Sequence, residues 1–304
     1  FAALSRDAEL NLAAIEPKDA DAASRRGLSV RTYPAASYTA FAWNLRSGTP
    51  ALRDARVRQA LAYVVDVDGF IRSTLFGRGH RVQQRHLDGT WPAAPAASLT
   101  RYGQDTPAAE ALLQQAGFAR GADGIFARDG KPLSLVLYTN AGNKARETFL
   151  QMTIEQLQRF GVKAEPRLER LDTLLDRLGT GSAEGDGWLI SWAMSPEPDP
   201  YGVWHSSQIP DPAKRTAGLN VGGFSSVDLD RAIDAARSPQ PGASCDQATR
   251  VQQYEAVNKL LNVQQPYLFA FTPDALLAAP PTLRGLRPGT FSLFTDVNRW
   301  WLQK

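Results

Sequence analysis

The sequence predicts an α/β fold. Segments of strand-like and of helical periodicity alternate along the chain. Most of the helical segments end at glycine, the residue that tolerates the left-handed stop conformation. No repeat period of 20 to 50 residues is visible, which argues against a solenoid.

The elements follow in order. Residues 28–33 and 38–44 are rich in β-branched and aromatic side chains and read as strands. In DARVRQALAYVVD, Val57, Leu61 and Val64 recur at steps of four and three and share one helix face. A second helix is expected over 68–76, stopped by Gly77. Residues 78–106 are irregular and rich in Pro, Gly and Ala. A loop of that length inside a compact domain is either functional or packed as a flap. Thr106-Pro107 opens the next helix, with an apolar face of Leu112, Leu113 and Ala116 and a cap at Gly117.

GADGIFARDGKP carries Asp-Gly at both of its turns and reads as a β-hairpin, followed by the strand LSLVLYTN. Over Lys144–Phe160, Leu150, Ile154 and Leu157 line a helix that Gly161 ends. VKAEPRLE reads as a strand, LDTLLDRLGTG as a short helix and GWLISWAM as a buried strand. Ser225 and Asp228 have the spacing of a capping box ahead of Leu229, Ile233 and Ala236. Val251, Tyr254, Val257 and Leu261 mark a last long helix. YLFAF, ALLAA and a segment near 297–302 are strand candidates.

Composition narrows the function classes. The 304 residues are enough for one large domain or two modest ones with a buried core. Hydrophobic residues at 43% and charged residues at 21% are those of an ordinary soluble globular protein. The net charge is +3 with no basic block, so no nucleic-acid partner is expected. The single cysteine, Cys245, reads as a free loop thiol. No apolar run reaches the roughly 18 residues of a membrane span. The chain opens on Phe1 in what reads as mid-domain sequence, so an upstream segment with any signal or lipid anchor is expected.

Chemistry-bearing patterns are sparse. His80, His86 and His205 form no HExxH or Cys/His cluster, so no metal or cofactor is expected. There is no Gly-x-Ser-x-Gly elbow. The glycine-rich GTGS at 179–182 lacks the Lys-Ser/Thr of a P-loop. The densest polar stretch is SWAMSPEPDPYGVWHSS, residues 191–207. Its Glu197 and Asp199 lie two apart on an extended segment and point in opposite directions, with no third group to complete a mechanism. Two readings stay open there: a rigid proline-rich loop with solvated carboxylates, or a ligand-contacting wall. Trp192, Tyr201 and Trp204 suit a binding wall and a core equally well.

Four segments stand in a fixed order: Trp43-Asn44 followed by DARVRQALAYVVDVDGF with Val65-Asp66 at the helix junction, then AAEALLQQAGF, then DGWLISWAMSPEPDP, then LNVGGFSSVDLDRAIDAAR with RVQQYEAVNKLLNVQQPYLFAF. Together they resemble the motifs of family 5 extracellular solute-binding proteins, the receptors of ABC importers for peptides, nickel complexes and similar solutes. The resemblance implies a periplasmic-binding-protein-like fold (type II, cluster C), a mixed sheet with flanking helices. It implies a second, ligand-binding lobe over 41–264, with 1–40 and 265–304 as crossover pieces of a partial first lobe.

The implied function is capture of a peptide or similar small solute between two lobes by hinge closure. Delivery to a membrane permease follows, without catalysis, outside the cytoplasm and as a monomer. The implied ligand-contacting residues are Trp192, Ala193, Met194, Ser195, Asp199, Tyr201 and Trp204. In peptide-binding members an Asp three residues after the matching Trp pairs with the ligand amino group. Ser195 stands there in this chain, and Asp199 is a candidate substitute. The alternative is a ligand-sensing domain of a transcription regulator; an enzyme ranks last.

Overall fold

The computed structural model describes residues 12–237 and 246–303, so Cys245 lies outside the described residues. In chain order the strands are β1 (Ala13–Ile15), β2 (Ser29–Pro34), β3 (Ser37–Trp43), β4 (Gly79–Arg81), β5 (Ala119–Arg120), β6 (Phe126–Arg128), β7 (Lys131–Pro132), β8 (Ser134–Asn140), β9 (Lys163–Glu169), β10 (Gly187–Ala193), β11 (Tyr267–Ala279), β12 (Leu283–Arg284) and β13 (Trp301–Leu302). The helices are α1 (Ala20–Arg25), α2 (Ala55–Val64), α3 (Val67–Ser73), α4 (Thr106–Gln115), α5 (Lys144–Phe160), α6 (Leu171–Thr180), α7 (Tyr201–Trp204), α8 (Val227–Arg237) and α9 (Gln247–Gln264).

The main sheet runs β1-β11-β3-β10-β8-β9, with β2 and β4 also paired to β11. Strands β10, β8 and β9 are parallel, and β3 is antiparallel to both β10 and β11. Alternate residues of the central strands face opposite layers, as a period of two requires. Phe41 and Trp43 of β3 and Leu189 of β10 pack with Val57, Leu61, Phe149 and Ile154 of α2 and α5. Tyr38, Ala40 and Ala42 of β3 and Trp188 of β10 pack with Ile233, Val257 and Leu261 of α8 and α9. The sheet centre is covered on both faces, which explains why GWLI reads as a continuous apolar run.

β11 is longer than expected. YLFAF and ALLAA are one strand of 13 residues, interrupted only in partnership. Tyr267–Phe271 pairs with β3, and Asp274–Ala279 pairs with β2 and β1. The register shifts between Phe269 and Phe271, so Ala270 and Phe271 both join the α2/α5 side. Pro273 sits where the partners change, a position that tolerates a residue without an N–H. β2–β3 and β11 thus run side by side from the centre of the main sheet to its β1 and β2 end.

Other expectations are met with small differences. The α5 helix spans Lys144–Phe160, and Gly161 caps it at φ 100°. The two Asp-Gly turns make a three-stranded meander, β5-β6-β7, because two turns join three strands. The α8 cap is shifted by one residue: Ser226 Oγ accepts the N–H of Leu229 at 3.3 Å, so the hydroxyl that fits the first turn is Ser226 and not Ser225.

The irregular 82–105 stretch packs as a flap tied to α9. Asn262 donates to the carbonyls of Gln83 and Thr100, and Asn258 donates to that of Pro92. Gln84 bonds both the N–H and the carbonyl of Ala94.

Candidate functional site

The carboxyl ends of β8 and β10 open on the same side of the sheet, where open α/β sheets bind ligands. The chain leaving β10 and the 82–92 flap meet there. Met194 donates its N–H to the carbonyl of Ala36, which holds the β10 exit against the start of β3. Arg85 of the flap donates to the carbonyls of Pro198 at 2.7 Å and Asp199 at 3.2 Å. Its burial lowers the affinity of the guanidinium for its proton, offset in part by Tyr38, Tyr254 and Asp199.

A groove of about 550 Å3 opens along β4 and the flap, lined by Pro34, His80, Val82, Leu87, Thr90 and Thr290. A narrower recess of about 30 Å3 adjoins it, sharing Leu87 and Thr90. Trp91, Met194, Ser195 and Phe291 wall the recess, and His86 lines it. Behind Trp91, Tyr254 stands edge-on at 5.4 Å, and the Arg250 guanidinium lies 5.1 Å over the indole. Glu197 accepts from Arg250 and raises its proton affinity. This wall is an aromatic surface with its charges already paired.

The structure separates the residues singled out from the sequence. Met194 and Ser195 line the recess. Trp192, half-buried, stacks on Tyr267 at 6.5 Å, and Ala193 is exposed at the strand end. Trp204 is buried against Tyr267 at 4.3 Å and belongs to the α8/α9 core. Tyr201 lies under Arg237 at 4.0 Å and stacks on His205 at 4.5 Å. Asp199 accepts the Tyr201 N–H and pairs with Arg237 at 3.1 Å, so its carboxylate serves the α7–α8 junction.

Arg85, Trp91 and Phe291 carry no motif in the sequence, and His86 is weighed there only as a metal ligand. The sequence signal for Arg85 and Trp91 is the unusual length of the loop that holds them. Phe291 had none. His80 bonds Asp274, and His205 bonds Ser207.

The motif residues are mostly scaffold. Asn44 donates to the carbonyl of Gly185, and Asp186 accepts the N–H groups of Thr49 and Val136. Buried Arg58 donates to the carbonyls of Leu52, Gln264 and Gln265. Asn220 closes the turn before α8 through Phe224. These contacts join the segments that carry the resemblance into one framework.

Comparison decides the family. The model of bacterial extracellular solute-binding proteins, family 5 middle, matches residues 1–211. The chain belongs to this family. It is 27% identical over 278 residues to the oligopeptide-binding protein AppA of Bacillus subtilis, covering 91% of this chain and 49% of the relative. The solved AppA structure, in complex with a nonapeptide, superposes with a TM-score of 0.81 at 26% identity, covering 100% of this chain and 58% of that one. NikZ of Campylobacter jejuni, solved with Ni(L-His), shares the fold at a TM-score of 0.78 and 22% identity, over 98% of this chain and 59% of that one.

This family 5 chain therefore has the periplasmic-binding-protein-like α/β fold expected from its sequence. It spans about half the length of the curated relatives it matches. Among the described residues, no helix is long and apolar enough to cross a membrane.

Proposed function

We propose that this chain supplies one wall and the crossing strands of a solute receptor for an ABC importer. In this reading the receptor captures a peptide or similar small solute without catalysing a reaction on it. It works outside the cytoplasm as a monomer and hands the solute to a membrane permease.

The observation that carries this reading is the recess between the flap and the exit of β10, which adjoins the groove along the flap. The lobes of the proposal, 41–264 against 1–40 with 265–304, join along β2–β3 and β11. Two adjacent strands crossing between lobes bend where they change partners, near Ala35 and Pro273, which are joined by the Ala35 N–H to Pro273 carbonyl bond at 2.9 Å. Closure about that point would shut the groove and exclude water from the solute. A solute drives closure only by binding the closed form more tightly than the open one.

The relatives support a peptide over other solutes, since AppA is named as an oligopeptide-binding protein. Native mass spectrometry of the full-length protein purified gently from its source tests the reading. Co-purified masses spaced as amino-acid residues are expected. A single non-peptide mass overturns the peptide assignment, and a full-length protein that binds no solute overturns the receptor assignment.

A further inference from the structure

We infer that Arg146 is a subsite for a carboxylate of the solute, on the α5 side of the strand end that leads into the recess. This subsite rests on the solute-receptor reading above and adds the charge that the cleft selects.

Arg146 stands in the first turn of α5, and its guanidinium reaches across to β10. Among the described residues, the sole hydrogen bond of that guanidinium is a long one, from Nη1 to the hydroxyl of Ser191 at 3.5 Å. Every other buried or half-buried arginine among the described residues meets a carboxylate or a backbone carbonyl. Arg177 ends on Glu169 at 2.9 Å, for example, and Arg128 on the carbonyl of Ala116 at 2.9 Å. Arg146 meets neither.

The nearest acid in sequence, Glu147, is engaged elsewhere. Its Oε1 accepts the Gly142 N–H at 2.7 Å, and its Oε2 pairs with Lys144 at 2.7 Å. The first turn of the helix is capped as well, since Asn143 Oδ1 accepts the Arg146 N–H at 3.0 Å. What is left without a partner is the guanidinium. Burial lowers its proton affinity, and no neighbouring carboxylate raises it again. A cation that has lost part of its hydration without gaining an anion is unfavourable, so an anion arriving there is stabilised.

The group is within reach of a ligand. Its Nε is sealed, but Nη2 is neither sealed nor hydrogen-bonded. Ser191 is exposed. It shares the α5 face of β10 with Leu189, opposite Trp192, and stands three residues before Met194 of the recess. The guanidinium thus lies at the carboxyl end of a strand that runs parallel to β8, the side on which open α/β sheets bind ligands. Two Nη groups present parallel N–H bonds that match the two oxygens of a carboxylate. A peptide carries that group at its carboxyl terminus and on Asp and Glu side chains.

The test uses the full-length receptor and its Arg146→Gln variant. Each is loaded with a tryptic digest of casein mixed equally with the same digest after methyl esterification, which blocks every carboxylate. The captured peptides are sequenced by mass spectrometry. The native receptor should take the free acids about tenfold over their esters, and the variant should lose that preference. Carboxyl-terminal amides of the captured peptides then separate the two sources: weaker capture assigns the terminus, and unchanged capture assigns Asp or Glu. Equal capture of acid and ester by the native receptor, or the same preference in both proteins, overturns this inference and leaves the receptor reading standing. Capture of nothing by the native receptor overturns the peptide reading and this subsite with it. If the variant does not fold, phenylglyoxal, which modifies accessible guanidinium groups, decides on the native protein. Arg146 should be modified in the free receptor and protected by the digest but not by its ester. A residue unmodified from the start, or protected equally by both, overturns the inference.

Discussion

Arg85 ends on the carbonyl of Pro198 at 2.7 Å, so one side chain joins the flap to the loop that leaves β10. The recess is bordered by two segments with no regular structure, and neither has a ladder of its own to hold its shape. Their relative position rests on this guanidinium and on the α9 asparagines behind the flap.

Replacing Arg85 by Met should therefore loosen both loops together. The loss of two charge-assisted bonds to carbonyls is expected to cost about 2 kcal/mol of stability. Amide hydrogen exchange should rise in 84–92 and in 195–199 in the same variant. Faster exchange in only one of the two segments would show that Arg85 does not couple them.

Arg58 should be a stability residue without a role in binding. It is buried, its proton affinity is lowered by desolvation to a pKa of about 10, and it closes the carbonyl end of α9. Arg58→Met leaves those carbonyls unpaired and should lower the unfolding free energy by about 3 kcal/mol in urea melts. Solute affinity of the molecules that remain folded should stay the same.

The two tryptophans near the cleft should separate cleanly. Trp204→Ala empties a core position and is expected to cost about 3–5 kcal/mol. Trp91→Ala removes a half-exposed wall and should cost about 1 kcal/mol while weakening solute binding. Calorimetric melting together with isothermal titration on both variants reads the difference.

His86 makes stability depend on pH in one direction. Desolvation, then Arg85, hold its proton affinity well below the ordinary imidazole value, while the unfolded chain titrates normally. The unfolded state therefore binds the extra proton first, and stability falls as pH drops below about 6.5. From pH 7.5 to 5.5 this residue should account for a loss of about 1 kcal/mol. Urea midpoints of the native protein and of His86→Phe should differ in pH slope by that amount; parallel slopes would remove His86 as the cause.

Ser195 lines the recess where the resemblance implies an amine-binding Asp in peptide receptors. Asp199, the other carboxylate in reach by sequence, is paired with Arg237. Ser195→Asp should raise affinity for peptides with a free amino terminus over their N-acetylated forms by about tenfold. Equal affinities in competition assays would place the ligand amine elsewhere.

The elements were legible because local physics sets them. Val57, Leu61 and Val64 share a face at any register of the rest, and Gly161 stops α5 through its own backbone freedom. The site was legible only in part. Trp192 and Trp204 lie in one motif with the same chemistry, and nothing local distinguishes a ring that stacks at the strand end from one sealed in the core. Asp199 read as a free carboxylate because Arg237, its partner, lies 38 positions away.

The sequence by itself determined the α/β order, the helix stops, the family and the absence of a catalytic motif. These depend on spacing within a few turns or on residues in fixed succession. Only the tertiary structure decided that YLFAF and ALLAA are one strand, that Arg85 binds two loops, and that His86 is buried against Asn258. Those facts arise from contacts across more than a hundred positions, such as Asn258 on His86, where burial and the choice of partner settle what each polar group does.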